Sequence, residues 1–210
     1  MKLLLVHPRL EANFFNDIQL PPLGLAYIAG VLRGAGHSVR IFDSILSKDQ
    51  LRDVKKVIAG YRPDIVGISA TSSLAGISFQ MARLIKDIDP RTTTVFGGVH
   101  ATVFPHQTIQ SPDVDYVVCG EGEYSMLELA RSLEESAEPK GIPGIVYKRN
   151  GEIAGSNPAN PISDLDRPPF PAYELLPLQK YTAFKLPGRR SLPWSQAGGV
   201  PTSAFFAVPV

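Results

Sequence analysis

Cysteine is almost absent from this 210-residue chain, which contains Cys119 alone. A single cysteine can form no internal disulfide, so a reducing, cytoplasmic location is expected. It also cannot hold an iron–sulfur cluster, because several thiolates bind such clusters. Cys119 lies in the last of the predicted buried strands, where a small apolar residue is a better interpretation than a nucleophile.

An excess of charge of one sign and long apolar runs are also missing. Lys and Arg number 21 against 20 Asp and Glu, a formal net charge of +1. That balance gives no electrostatic footprint for nucleic acid or an anionic membrane. The apolar run at residues 3–6 is far too short to cross a bilayer and predicts a buried strand instead. We expect neither a nucleic-acid partner nor a membrane partner.

Three familiar ligand-binding motifs are absent as well. No Gly-x-Gly-x-x-Gly follows the first predicted strand, which argues against an ordinary dinucleotide-binding fold. The chain has no Gly-x-x-x-x-Gly-Lys-Ser/Thr phosphate loop and no Gly-x-Ser-x-Gly nucleophile elbow. Phosphate-loop NTPase and α/β-hydrolase chemistry are disfavoured on this basis.

Apolar runs alternate with helical stripes along the first two thirds of the chain. Five short runs predict strands at residues 3–6, 39–42, 65–68, 94–96 and 116–118. The clearest helical stripe consists of Ile77, Met81, Leu84, Ile85 and Ile88. Repeated βαβ units imply a parallel sheet with helices on both faces. We predict an α/β fold, a flavodoxin-like (Rossmann-type) doubly wound sheet of five parallel strands.

The character of the sequence changes after residue 140. Residues 141–156 predict a β-hairpin extension, with Asn150-Gly151 as a type I′ turn. Residues 157–210 begin rich in proline and predict an extended connector followed by an irregular tail. The expected organisation is therefore an α/β domain over residues 1–140, then the hairpin, then the proline-rich tail.

Two glycine-marked loops follow the fourth and fifth predicted strands. One contains Gly97 and Gly98, and the other contains Gly120 and Gly122. The carboxyl ends of parallel strands share one edge of the sheet, where open α/β sheets bind ligands. Glycine lets the backbone adopt positive φ and lets a ligand approach without meeting a Cβ atom. The pattern predicts a ligand site between these loops.

Polar side chains at the same edge each allow two interpretations. Ser69, Thr71 and Ser72 follow the third strand and can either bond a ligand or cap the next helix. His100 can contact a ligand, or it can be a structural histidine bonded within its loop. Glu121 and Glu123 precede a helix, where a negative charge is favourable in any case, and both are weak general acid–base candidates without a partner. No zinc-type ligand spacing accompanies them.

Five motifs occur in a fixed order: PPLGLAYIA (21–29), GHSV (36–39), PDIVGIS (63–69), GGVHAT (97–102) and DYVVCGEGE (115–123). Together they resemble the N-terminal cobalamin-binding domain of cobalamin-dependent radical S-adenosylmethionine (SAM) enzymes. The segment ISDLDRPPFPAY (162–173) is similar to that family's connector to its radical domain. The resemblance covers roughly residues 1–185 and implies a corrinoid ligand.

The resemblance does not extend to the cysteine motif on which the family's radical chemistry depends. The family carries a Cys-x-x-x-Cys-x-x-Cys triad after the connector, where three thiolates hold an iron–sulfur cluster. Residues 201–210 stand in that place and contain no cysteine. We therefore expect a truncated relative of the methyltransferase or cyclase type, without a cluster and inactive by itself. A separate radical SAM polypeptide is a possible partner.

The first loop departs from another cobalamin motif. Many cobalamin domains place a cobalt-binding histidine in Asp-x-His-x-x-Gly after the first strand, whereas Pro8 and the residues up to 17 stand there in this chain. The resemblance thus implies base-off cobalamin without a protein histidine on cobalt, with its nucleotide tail in a slot beside the sheet. The implied cofactor-binding residues are Pro8, Ser69, Thr71, Ser72, Gly97, Gly98, His100, Ala101, Thr102, Gly120, Glu121 and Gly122.

Two other functions stay open. The chain can be a non-catalytic docking scaffold with a degenerate pocket, or a flavodoxin-like binder of a flavin or nucleotide. Visible spectra separate the three functions, because corrinoids, flavins and an empty pocket absorb differently.

Overall fold

A computed structural model describes residues 1–10, 20–155, 161–164 and 166–181, and the backbone of 185–186 and 189–190. Within them, one sheet contains seven strands: β1 (Lys2–His7), β2 (Ser38–Asp43), β3 (Ile65–Ser69), β4 (Thr93–Gly97), β5 (Tyr116–Val118), β6 (Ile145–Arg149) and β7 (Glu152–Gly155). The spatial order is β2-β1-β3-β4-β5-β6-β7, and β1 to β5 are parallel. The flavodoxin-like prediction is confirmed, because the parallel strands have the 2-1-3-4-5 order of that fold.

The hairpin explains why the sheet has seven strands rather than five. β6 pairs antiparallel with β5, and β7 pairs antiparallel with β6, so the hairpin extends one edge of the parallel sheet. Asn150 and Gly151 have φ values of 51° and 85°. Two positive φ angles at the central positions are the signature of the predicted type I′ turn.

Six helices cover the two faces of the sheet in the described part of the chain: α1 (Leu23–Gly34), α2 (Gln50–Tyr61), α3 (Ala75–Ile88), α4 (Val99–Val103), α5 (Pro105–Ile109) and α6 (Gly122–Glu134). Leu3 and Leu5 of β1 pack with α1 and α6, whereas Leu4 and Val6 pack with α2 and α3. The period of two in a strand thus divides the interior into two cores. Among the described helices, none is long and apolar enough to cross a membrane.

The predicted connector lies across helix α1. The Ala172 N–H donates to the Ala26 carbonyl at 2.9 Å, and a Cβ atom on Gly30 would lie 2.7 Å from the carbonyl oxygen of Phe170. Glycine at position 30 therefore lets the connector backbone touch the helix. An ion pair between Arg33 and Glu174 adds to the contact.

The end of the chain is described only in part. Lys185–Leu186 pairs with Arg189–Arg190, a two-residue ladder that no period in the sequence predicted. The described residues leave out residues 11–19 of the first loop and residue 156 of the predicted hairpin. They also leave out residues 157–160, 165, 182–184, 187–188 and 191–210 of the predicted tail. The domain boundaries at 140 and 156 stay predictions.

Candidate ligand-binding site

An apolar cleft opens at the carboxyl edge of the sheet, between the strands and helices α1 and α6. It contains about 410 Å³ of free space, part of it open to solvent. Its lining residues are Leu5, Leu25, Ile28, Gly67, Ile68, Ser69, Val95, Gly97, Gly98, Val118, Gly120, Gly122 and Met126. The two glycine loops predicted from the sequence meet at this cleft.

Two glycine residues on the neighbouring strands β3 and β4 form the floor of the cleft. Gly67 of β3 stands in register between Leu5 of β1 and Val95 of β4, and Gly97 stands beside Ser69. A Cβ atom on Gly97 would have Val118 O as its nearest neighbour, at 3.9 Å. A side chain at position 97 would therefore enter the free space of the cleft without striking backbone.

Gly98 has a different reason to be glycine. Its φ is +89°, and a Cβ atom would lie 2.8 Å from the carbonyl oxygen of Ala70. Ala70 itself donates its N–H to Gly97 O and accepts from the N–H of His100. Gly98 thus lines the cleft, but its lack of a side chain is required by the packing of two loops rather than by a ligand.

Thr102 joins the two glycine loops. Its Oγ1 donates to the Gly98 carbonyl at 3.0 Å and accepts the N–H of Gly120 at 2.9 Å. One hydroxyl thereby satisfies backbone groups of both loops, and it fixes the distance between them. This bridging role differs from the direct ligand contact that the resemblance implied for Thr102.

His100 and Ala101 are built into the protein interior. The His100 side chain is 8% exposed, and its Nδ1 lies 3.3 Å from Ser72 Oγ. Its ring packs against Phe79 and Phe104, and burial lowers its pKa. Ala101 is fully buried in the core beneath α2 and α3. The structural alternative for His100 fits this geometry, and direct contact of either residue with a ligand stays a prediction.

The remaining predicted residues are dispersed. Pro8 is buried after β1, and Thr71 is exposed and bonded to Ser73 Oγ at 3.0 Å. Glu121 Oε2 accepts the N–H of Ile162 at 2.5 Å and so holds the connector. Of the predicted residues, those that line the cleft are Ser69, Gly97, Gly98, Gly120 and Gly122.

A cluster of His7, Asp43 and Tyr181 was not anticipated from the sequence. His7 Nδ1 lies 3.0 Å from Asp43 Oδ1, and the Tyr181 hydroxyl donates to Asp43 Oδ2 at 2.8 Å. Burial, followed by the charge of Asp43, raises the pKa of Tyr181. The register of β1 with β2 places His7 opposite Asp43, and the connector delivers Tyr181. No spacing in the sequence signals this contact, because it joins three distant segments.

Glu123, which the sequence predicts as a favourable charge at a helix N-terminus, is buried in the structure. Its side chain is 5% exposed, and its Oε2 has no hydrogen-bond partner among the described residues. Burial raises the pKa of Glu123, and the nearby charge of Glu121 acts in the same direction. The pKa of Tyr27 on α1 is raised by burial and then by the charge of Glu123, which places the two side chains near each other.

Several exposed apolar side chains occur in or next to loops that follow strands of the sheet. Val103 and Phe104, which follow the first glycine loop, are 50% and 44% exposed. Leu10 and Leu20 flank the first loop and are 48% and 40% exposed. Exposed apolar side chains at the mouth of a cleft are typical of a surface that receives a ligand or another domain.

Neither a reactive thiol nor a metal cluster accompanies the cleft. Burial raises the pKa of Cys119 to about 11, so the thiol stays protonated at neutral pH. In the described ranges, no group of three or more His, Cys, Asp or Glu side chains could hold a metal ion.

Comparison with known proteins identifies the family. The B12 binding domain family matches residues 17–130. This chain belongs to that family. Its relatives also confirm the resemblance to the cobalamin-binding domain of cobalamin-dependent radical SAM enzymes.

Two relatives illustrate how much of a longer protein the chain represents. An uncharacterized methyltransferase of Pyrococcus horikoshii, PH0819, is 40% identical over 190 residues, which are 89% of this chain and 41% of the relative. The anaerobic magnesium-protoporphyrin IX monomethyl ester cyclase of Rubrivivax gelatinosus is 30% identical over 213 residues, 98% of this chain and 38% of the relative. The chain spans less than half the length of either protein.

Solved structures share the fold at lower identity. The cobalamin-dependent SAM radical enzyme OxsB, with aqua-cobalamin and SAM bound, superposes with a TM-score of 0.73 at 22% identity, covering 83% of this chain and 24% of OxsB. The radical SAM methyltransferase TsrM of Kitasatospora setae, with cobalamin and a [4Fe-4S] cluster bound, gives 0.62 at 23% identity over 76% of this chain and 29% of TsrM.

Proposed function

We propose that this chain is the corrinoid-binding module of a radical SAM enzyme of the methyltransferase or cyclase type. The observation that carries the proposal is the glycine-floored cleft at the carboxyl edge of a B12-binding fold. Ligands of open α/β sheets bind at this edge. When bound, the corrinoid supplies cobalt chemistry that amino-acid side chains lack.

The residues present suit the two parts of a corrinoid. The flat base of the nucleotide tail would enter the cleft beside Gly97, where a Cβ atom would otherwise occupy free space. The wide corrin face would rest on the edge above, near the exposed side chains of Val103 and Phe104. Thr102 would keep the two glycine loops at a fixed separation on either side of the tail.

We further propose that cobalamin is bound base-off and without a histidine of this chain on cobalt. A tail base lodged in the cleft is removed from the cobalt. The described residues that line the cleft include no histidine, His100 is bonded to Ser72, and the ring of His7 is held against Asp43. The ring nitrogen Nδ1 of each histidine thus already has a partner within the protein.

The radical chemistry is proposed to reside outside these 210 residues. The sequence has one cysteine, whereas the cluster of a radical SAM domain needs three. A radical SAM domain that bears the cluster would then dock at the carboxyl edge. The cytoplasmic location stays a prediction that rests on the near absence of cysteine.

A spectral titration of the purified chain with hydroxocobalamin tests the proposal. We expect saturable binding by the wild type and a loss of affinity of at least about tenfold for Gly97→Val, because the valine side chain fills the floor of the cleft. Gly60→Val is the matched control, since a Cβ on Gly60 of α2 meets nothing within 4 Å. It should bind like the wild type.

Two results would contradict the proposal. One is the absence of any corrinoid binding, with flavin mononucleotide producing the spectral change instead. The other is equal affinity of wild type and Gly97→Val when circular dichroism shows both folded. The same spectra test the axial ligand: His7→Ala should leave the spectrum of the bound corrinoid unchanged, and an altered spectrum would reveal a histidine on cobalt.

A further inference from the structure

The cleft has few polar groups, and a second inference follows from this low polarity. The inference rests on the proposed function. Side chains of Leu5, Leu25, Ile28, Val95, Val118 and Met126 form its walls. Among the side chains that line it, the Ser69 hydroxyl is the one hydrogen-bonding group. A ring that enters this cleft therefore meets hydrocarbon on nearly all sides.

Three backbone groups of the neighbouring loops are already paired. Gly97 O accepts from Ala70 N, and Gly98 O accepts from both the N–H and the Oγ1 of Thr102. The Gly120 N–H is donated to Thr102 Oγ1 at 2.9 Å. A ring nitrogen that approached Gly120 would have to displace Thr102 from this N–H.

We infer that the cleft selects corrinoids whose tail carries an apolar benzimidazole base over corrinoids whose tail carries a purine. Both bases are flat bicyclic rings of similar size, so shape separates them little. A purine adds an amino group and further ring nitrogens, and each loses its hydrogen bonds to water when it is buried without a partner. Dimethylbenzimidazole presents carbon-bound hydrogens and methyl groups to the same walls.

Binding of three corrinoids to the purified chain tests this selectivity. The probes are cobalamin, its analogue with adenine as the tail base, and cobinamide, which has no tail base. We expect cobalamin to bind at least about tenfold more tightly than the adenine analogue, because an unpaired buried polar group lowers affinity by about this factor or more. Cobinamide should also bind more weakly than cobalamin, since it leaves the cleft unfilled.

A pair of valine variants ties the selectivity to the cleft. Val118 of β5 lines the cleft, whereas its neighbour Val117 is buried in the opposite core. Val118→Thr adds a hydroxyl to the cleft at nearly constant volume and should shrink the cobalamin-to-adenine affinity ratio by about 3- to 10-fold. Val117→Thr introduces the same change on the other face and should leave the ratio as in the wild type.

The outcomes separate this inference from the proposed function. Equal or tighter binding of the adenine analogue overturns the selectivity while corrinoid binding stands. Equal affinity for cobalamin and cobinamide places the base outside the cleft and likewise overturns it. A ratio that changes equally in both valine variants also overturns it, because the polarity of the cleft is then not the cause. If none of the three probes binds, the proposed function itself fails.

Discussion

Gly97 and Gly98 are neighbours in the sequence, but a side chain fits at only one of them. The space beside Gly97 is the free volume of the cleft, whereas Gly98 has a φ of +89° and lies against the backbone of Ala70. A substitution at 98 would thus disturb the loop itself and could not report on ligand binding alone. A substitution at position 97 is therefore expected to affect ligand binding without disturbing the loop.

Glu123 shows how burial can set the pH dependence of a fold. Because burial raises its pKa, the folded protein holds this proton more tightly than the unfolded chain. The ionised side chain therefore destabilises the fold above the usual glutamate pKa of 4.5. This destabilisation grows as the pH rises, until the raised pKa of the folded state is passed.

We expect Glu123→Gln to stabilise the protein at pH 8 by about 1 kcal/mol, which is roughly 2 to 4 °C in Tm for a chain of this size. The gain should shrink as the pH is lowered toward 4.5, because the cost of ionising the buried carboxyl is lost as the pH approaches the ordinary glutamate value. Thermal melts of both proteins between these pH values measure it.

Glu128→Gln provides the control for this experiment. Glu128 lies on the same helix, α6, but its side chain is exposed. Because this side chain stays in water, its substitution should change Tm at pH 8 by much less than Glu123→Gln does. A Glu123→Gln protein that is less stable than the wild type at pH 8 would show that the carboxylate has a favourable partner.

At the scale of secondary-structure elements, helix α4 connects the two glycine loops through the hydroxyl of Thr102. Thr102 on this short helix bonds backward to Gly98 O and across to the N–H of Gly120. Thr108 on α5 makes the same backward bond, to Phe104 O at 2.8 Å. Within the described residues, its hydroxyl bonds to no other loop. Thr102 therefore bridges the two glycine loops, whereas Thr108 does not.

Thr102→Val should therefore do more than remove a helix bond. It leaves the Gly120 N–H without its partner, so we expect a loss of about 1 to 3 kcal/mol in the free energy of unfolding and faster hydrogen exchange at Gly120. Urea unfolding and exchange measured by NMR check both effects. Corrinoid affinity should fall as well, because the mouth of the cleft is no longer held.

Thr108→Val separates the bridge from the helix bond. It should destabilise the fold by about 0.5 to 1.5 kcal/mol and leave exchange at Gly120 unchanged. If the two variants affect the Gly120 amide equally, the bridging role of Thr102 is wrong.

At the scale of the whole molecule, the connector ties together parts that are distant in sequence. It bonds to Glu121 beside α6, crosses α1 at Gly30, and reaches Asp43 at the end of β2 through Tyr181. These contacts follow the side of the domain that contains the cleft. The connector is thus part of the folded unit up to Tyr181.

Gly30→Ala tests this attachment. The new Cβ would lie 2.7 Å from Phe170 O, so the connector must move away from α1. We expect faster tryptic cleavage after Lys180 and no gain in stability. Gly34→Ala on the same helix meets nothing within 4 Å, and it should stabilise the protein by up to about 1 kcal/mol through helix propensity. Equal cleavage rates in both variants would contradict the attachment.

Much of the fold could be predicted because it depends on local patterns. The apolar runs, the Asn150-Gly151 turn and the helical stripe ending at Ile88 are properties of short segments, and the structure has the elements that they predict. Parallel strands joined by helices then leave few topologies. The glycine loops were predicted to meet for the same reason, since strands β4 and β5 end at one edge.

The composition and local order of the residues were sufficient for the α/β class, the element order and the edge at which the two glycine loops meet, because each follows from neighbours along the chain. Contacts between distant residues decided the rest. Register placed Gly67 between Leu5 and Val95, the packing of α1 and α6 made the cleft apolar, and the connector brought Tyr181 to Asp43. Such contacts depend on how helices and strands pack, and no short segment encodes them alone.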